Sequence, residues 1–139
     1  MTTGTGIRHI PAPDGVAPGR GYTHVVTGSG RVVAVSGQVA LDDRGAVVGP
    51  GDPAAQARQV FENLRRCLAA AGAGFGDVIK LTYFVTDVAD LPAIRMVRDE
   101  LLGTDRLPAS TAVQVVALVS PELLLEVEAL ALVAEPAGP

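Results

Sequence analysis

The chain has no tryptophan, three phenylalanines and two tyrosines, so its interior must be built from valine, leucine and alanine rather than from stacked rings. It has a single cysteine, Cys67, which excludes an intramolecular disulfide and any multi-cysteine metal site and suits a reducing compartment such as the cytoplasm. Charge is also sparse, with 19% charged residues, a formal net charge of -4 and scattered arginines. No basic patch is present to attract phosphates, which argues against nucleic acid as a partner. No apolar run approaches the roughly 20 residues needed to cross a bilayer, and the first residues have no apolar targeting core, so neither a membrane nor a secretory signal is expected. His9 and His24 stand far apart outside any metal-binding spacing. No GxGxxG, P-loop or GxSxG pattern supports nucleotide binding or a serine nucleophile.

What remains is 139 residues that are 48% hydrophobic, enough for one core. Residues 1–21, rich in Gly, Pro and Thr, read as an extended arm with at most a short strand around Ile7 to Ile10. Residues 22–134 read as one domain and 135–139 as a tail. The turn residues Gly28, Ser29 and Gly30 predict a hairpin whose second strand, Arg31 to Val35, runs into Ser36-Gly37-Gln38. A helix is predicted over the segment PAAQARQVFENLRRCLAAAG, where Ala57, Val60, Phe61, Leu64, Cys67 or Leu68, and Ala71 recur at helical spacing. Asp52 is its cap, Pro53 its first residue and Gly72 its stop. The run VIKLTYFVTDV alternates as a strand. A second helix over about Leu91 to Leu102 should bury Ile94, Val97 and Leu101. Two long strands, Thr111 to Leu118 and Leu123 to Val133, complete the order ββ(β)-α-β-α-β-β. Two helices cover only one face of a five- or six-stranded sheet, and the mean hydropathy of +0.34 is high for a short chain. The uncovered apolar face predicts a symmetric oligomer.

Polar residues in apolar strands are the candidates for chemistry. Glu126 and Glu128 share one face of LLLEVEALAL, either as a solvated or interface-paired edge or as a functional carboxylate. Ser36-Gly37 offers a hydroxyl beside backbone that a ligand can approach closely, and equally reads as a bulge or strand-end kink. Ser110 and Thr111 follow Pro108 at a strand start, where hydroxyls commonly satisfy local backbone groups. Cys67, on or beside the apolar helix stripe, reads as a packing residue.

Three segments, VSGQVALD, DPAAQARQVFENLRRCLAAAGAGFGDVIKLTYFVTDVADLPAIRMVRDELL and PASTAVQVVALVSPELLLEVEALALV, together resemble the RidA (YjgF-type) enamine/imine deaminase family, also called endoribonuclease L-PSP. The resemblance spans about residues 20 to 134. It implies an α+β, chorismate-mutase-like fold with a mixed sheet, two helices on one face and a homotrimer closed around a central barrel. It further implies small-molecule ligands in clefts between subunits, hydrolysis of reactive enamines and imines made from amino acids to the 2-oxo acid and ammonia, and no metal or organic cofactor. Residue by residue, the family's site tyrosine falls on Tyr22, its serine and glycine on Ser36 and Gly37, and its water-positioning carboxylate on Glu126. Where the family usually carries an arginine that grips the substrate carboxylate, this chain has Ser110, followed by Thr111, with Ala112 in place of a frequent cysteine. A serine hydroxyl cannot supply a bidentate, charge-assisted contact, and stiff Leu107-Pro108 separates the nearby Arg106 from that place. The resemblance therefore implies a hydrolase whose substrate does not depend on this clamp. The alternative is a non-catalytic trimer that binds a metabolite or a protein partner. Ribonuclease activity, suggested by the family's other label, fits poorly with the acidic charge.

Overall fold

The fold, a computed structural model, is described for residues 4–135; residues 1–3 of the predicted arm and 136–139 of the predicted tail lie outside the described residues. Helix α1 spans Pro53–Ala70. The Asp52 side chain accepts a bond from the Ala55 N–H at 3.1 Å, and Pro53 opens the helix without wasting a donor. Gly72, at φ 77°, ends it by taking a backbone conformation that disfavours side chains. Its stripe of Ala57, Val60, Phe61, Leu64 and Leu68 is buried, and Cys67 packs at the margin of the core. Helix α2, Leu91–Leu102, stops at Gly103 in the same way, with φ 75°.

Five further segments make strands around these helices, after a first one in the arm: β1 (Arg8–Ile10), β2 (Val25–Thr27), β3 (Arg31–Gln38), β4 (Val78–Val85), β5 (Ala109–Gln114) and β6 (Leu125–Val133). The main sheet has four strands in the order β3-β6-β4-β5, with β4 and β5 parallel and the other pairs antiparallel. Both helices pack on one face. That face buries Val33 and Val35 from β3, Leu81, Tyr83 and Val85 from β4, and Leu125, Val127, Ala129 and Ala131 from β6. Phe61 of α1 meets Tyr83 and Phe75 with ring centroids 6.4 Å apart in both cases. On the opposite face Val32, Val113 and Leu130 are exposed, as are Val116 and Val119 just beyond β5. This is an α+β fold with a mixed sheet and one uncovered face.

Several expectations change. The hairpin predicted between β2 and β3 does not form: β2 pairs with β1, and β3 pairs with β6. The cause lies in Gly28-Ser29-Gly30, where the Ser29 N–H bonds Thr5 O at 2.8 Å and Gly30, at φ 129°, leaves its Cα against the Val133 carbonyl. The chain is thereby redirected from one sheet to the other, giving sheets of four and two strands instead of one of five or six. Strand β5 is shorter than the predicted Thr111 to Leu118 and runs along a sheet edge, so its residues are mostly exposed rather than buried on both faces. A bulge between Val78 and Lys80 turns Ile79 out of the buried alternation and puts Val78 in the core. On α2 the third inward position is taken by Arg98, and Leu101 is exposed.

One polar side chain in the core organises the connections. Gln56 is fully buried; its amide donates to Gly49 O at 3.1 Å and Glu122 O at 2.9 Å and accepts from Leu124 N–H at 2.8 Å. It ties the turn before α1 to the loop that launches β6. Asn63 does the same for the segment after β3, donating to Val39 O at 3.1 Å and Leu41 O at 3.0 Å. Buried backbone groups outside ladders need such partners. In this way α1 sets the level at which β3 ends and β6 begins.

Candidate functional site

Strand alternation places Glu126 and Glu128 on the helix-free face, because Leu125, Val127 and Ala129 point to the core. Glu126 lies opposite Phe84 of β4 and is half-buried; Glu128 lies opposite Thr82 and is exposed. Among the described residues neither carboxylate has an ion-pair partner. On its other side Glu126 lies over β3 where the ladder is irregular, between Val35 and Gln38. Ser36 and Gly37 fill that irregularity. A methyl group on Gly37 would overlap the Glu126 carboxylate, so the absence of a side chain there makes room for the acid. Ser36, Gly37 and Glu126 thus come together.

A second group gathers on the other side of the sheet. In the parallel pair Ser110 is level with Leu81 and Ala112 with Tyr83, so Ser110 and Ala112 point to the helix face. The arm passes here: Thr23 N–H bonds Pro108 O at 3.2 Å, which brings Tyr22 alongside the start of β5. Tyr22, Ser110 and Ala112 line a small hollow together with Tyr83 and three arginines, Arg20, Arg95 and Arg98. Arg98 is almost wholly buried. It bonds Asp99 through Nε at 3.1 Å and Nη2 at 2.8 Å, and Gly21 O through Nη1 at 2.8 Å. The Tyr83 hydroxyl is buried and has no hydrogen-bond partner among the described residues. Burial pushes its pKa up to about 12, and the nearby charges of Arg98 and Arg95 offset this only in part.

Within one chain the seven candidate residues are therefore not a single constellation. Glu126, Ser36 and Gly37 belong to one side of the sheet, and Tyr22, Ser110 and Ala112 to the other. Thr111 alternates away from its neighbours onto the helix-free face, where its hydroxyl accepts from Lys80 Nζ at 2.6 Å. Arg106 does not reach Ser110. It lines a separate hollow with His9 and Phe75, at φ 52°. Tyr83, Arg95 and Arg98 escaped the sequence reading because helical spacing put Leu101, not Arg98, inward, and because Tyr83 reads as an ordinary core aromatic. An arginine one turn from Ile94 on the apolar stripe was the signal available.

The geometry can be set beside known proteins. The model of the family described as endoribonuclease L-PSP matches residues 13–133. The 3-aminoacrylate deaminase RutC of Acinetobacter baylyi is 38% identical over 89% of this chain and 97% of its own length. Among solved structures, the Rid-family protein YyfB of Yersinia pestis superposes with a TM-score of 0.81 at 37% identity, covering 91% of this chain and 98% of that one. RidA from an Antarctic Psychrobacter gives a TM-score of 0.69 at 33% identity, with 91% and 98% covered. Four-stranded mixed sheet, two helices on one face and a match over nearly the whole length lead to one conclusion: the chain belongs to the endoribonuclease L-PSP family, to which the RidA (YjgF) proteins belong.

Proposed function

We propose that the protein is a deaminase that hydrolyses a small enamine or imine, with Glu126 handling the water. The observation that carries this reading is the half-buried Glu126 carboxylate, without an ion-pair partner among the described residues and lodged over the side-chain-free Gly37. A carboxylate without a cationic partner keeps its lone pairs for water. An enamine first tautomerises to the imine, taking a proton on carbon and releasing one from nitrogen. Water held by Glu126 then attacks the C=N carbon, giving up a proton to the carboxylate. That proton passes to nitrogen, and the carbinolamine collapses to carbonyl and ammonia. The deaminase name of the Acinetobacter relative supports this reaction class.

The split arrangement supports a site shared between copies of the chain. Glu126, Ser36 and Gly37 of one subunit would face Tyr22, Ser110 and Ala112 of the next, with Thr111 at the rim, in a homotrimer packed through the exposed apolar face that carries Val32, Val113 and Leu130. Because Ser110 carries no charge, β5 offers the substrate only neutral hydrogen bonds. The substrate is thus held differently from the amino-acid-derived 2-imino acids gripped by an arginine at that place.

The test is Glu126→Gln, which keeps the shape and removes the base. Assayed by ammonia release against a panel of enamines and imines, the variant should lose at least about a hundredfold in kcat. Equal rates for the two proteins, or no rate for wild type on any member, would refute the reading.

A further inference from the structure

The hollow beside Ser110 holds more hydrogen-bonding capacity than the chain itself uses. The Tyr83 hydroxyl is a buried donor without an acceptor. Arg98 spends three of its N–H groups on Asp99 and Gly21, and its guanidinium also stands close to the Tyr83 hydroxyl. Arg95 is exposed at the rim with no ion-pair partner among the described residues. Three arginines therefore stand against one carboxylate, Asp99, in a chain whose net charge is -4. Leaving a buried hydroxyl unsatisfied is unfavourable, so a donor left open in this way asks for a ligand. The hollow has a volume of about 20 Å³, room for one oxygen-sized group. Only the tip of a ligand fits inside.

We infer that this hollow is an anion seat: Tyr83, Arg98 and Arg95 receive a carboxylate oxygen of the substrate, so the charge missing at Ser110 is supplied from α2. This rests on the deaminase reading and adds to it the groups on β4 and α2 that take a substrate carboxylate where β5 offers no charge. The seat lies behind β5 rather than on it. The carboxylate is consequently drawn deeper toward α2 than an arginine at position 110 would hold it, which favours substrates whose carboxylate is set further from the C=N carbon. Gly21 belongs to the seat. Its positive φ of 78° turns its carbonyl onto Arg98, and a Cβ there would come within 3.0 Å of Arg98 Nη2.

The probes are pyruvate and acetoacetate, each compared with its uncharged methyl ester in ligand-observed NMR titrations of the full chain. Expected is an acid that binds at least about tenfold tighter than its ester, worth about 1.4 kcal/mol. Tyr83→Phe and Arg95→Gln should each cut that preference about threefold or more, with melting temperatures no lower than wild type to show the fold intact. Acid and ester binding alike, no acid binding, or a preference that survives both substitutions would overturn the inference. The two readings fail separately. Loss of turnover in Glu126→Gln without any acid preference keeps the hydrolase and removes the seat, whereas an acid preference that needs Tyr83 and Arg95, with turnover indifferent to Glu126, does the reverse.

Discussion

The carboxylate of Glu126 fills the space that a side chain on Gly37 would occupy. Position 37 has no positive φ to explain a glycine, so the reason is steric and specific to the acid. Gly37→Ala should push Glu126 off its place while leaving the buried face of β3 untouched. A displacement of about 1 Å at a reacting group costs on the order of a hundredfold. The expected outcome is a kcat lower by 10- to 100-fold on an order-of-magnitude scale, with a much smaller change in melting temperature. A variant as active as wild type would show that the contact has no catalytic meaning.

Gln56 tests the architecture rather than the chemistry. Gln56→Leu keeps the volume but strands Gly49 O, Glu122 O and Leu124 N–H, all of which the amide serves. Each buried group left unpaired costs about 1–3 kcal/mol, although relaxation recovers part of it. Urea denaturation should therefore show a loss of about 2–4 kcal/mol with an unchanged slope. Gln59→Leu on the same helix removes one partly buried bond, to Asn63, and should cost less than about 1.5 kcal/mol.

These cases mark where the sequence was readable. Helix α1 was legible to its caps, since Asp52, Pro53 and Gly72 act locally and need no tertiary information. The shared face of Glu126 and Glu128 followed from period-two alternation alone. Pairing partners did not. Whether β2 joins β3 or β1 depends on Gly30 meeting the Val133 carbonyl, a contact between residues about a hundred positions apart. Arg98 was hidden for a similar reason. Its burial makes sense only once the Gly21 carbonyl arrives from the arm. The division of the candidate residues between two sides of the sheet was likewise invisible until the register of β5 on β4 was known.

Tyr83 gives a pH dependence. Its phenol is pushed from an ordinary value near 10 up to about 12 by burial. Between those two values the folded chain keeps the proton and the unfolded chain loses it, so stability falls as pH rises. The contribution is fully present below about pH 10 and is lost by about pH 12, a decline of roughly 2–3 kcal/mol. Tyr83→Phe should flatten this part of the profile in urea titrations from pH 9 to 12. Near neutral pH the same change removes an unpartnered hydroxyl from the core and should leave stability equal or raise it by up to about 1 kcal/mol. An unaltered alkaline slope in the variant would mean that the tyrosine is not the group responsible.

Placing an arginine at position 110, where the sequence resemblance puts one, is the least conservative of these experiments, and the structure argues for its failure. Ser110 faces the helix side, into a hollow of about 20 Å³ already lined by Arg20, Arg95 and Arg98. A guanidinium has no volume there, and the neighbouring cations repel it. With no carboxylate among the described residues that line the hollow, and the neighbouring Asp99 already bonded twice by Arg98, the new side chain must either unseat Arg98 or turn outward. Unseating Arg98 frees the Gly21 carbonyl and loosens the arm that carries Tyr22. Ser110→Arg should therefore melt several degrees below wild type and gain no turnover on the imine of pyruvate. A variant that folds as well as wild type and hydrolyses the imine faster would show that the site still accommodates the strand-borne clamp.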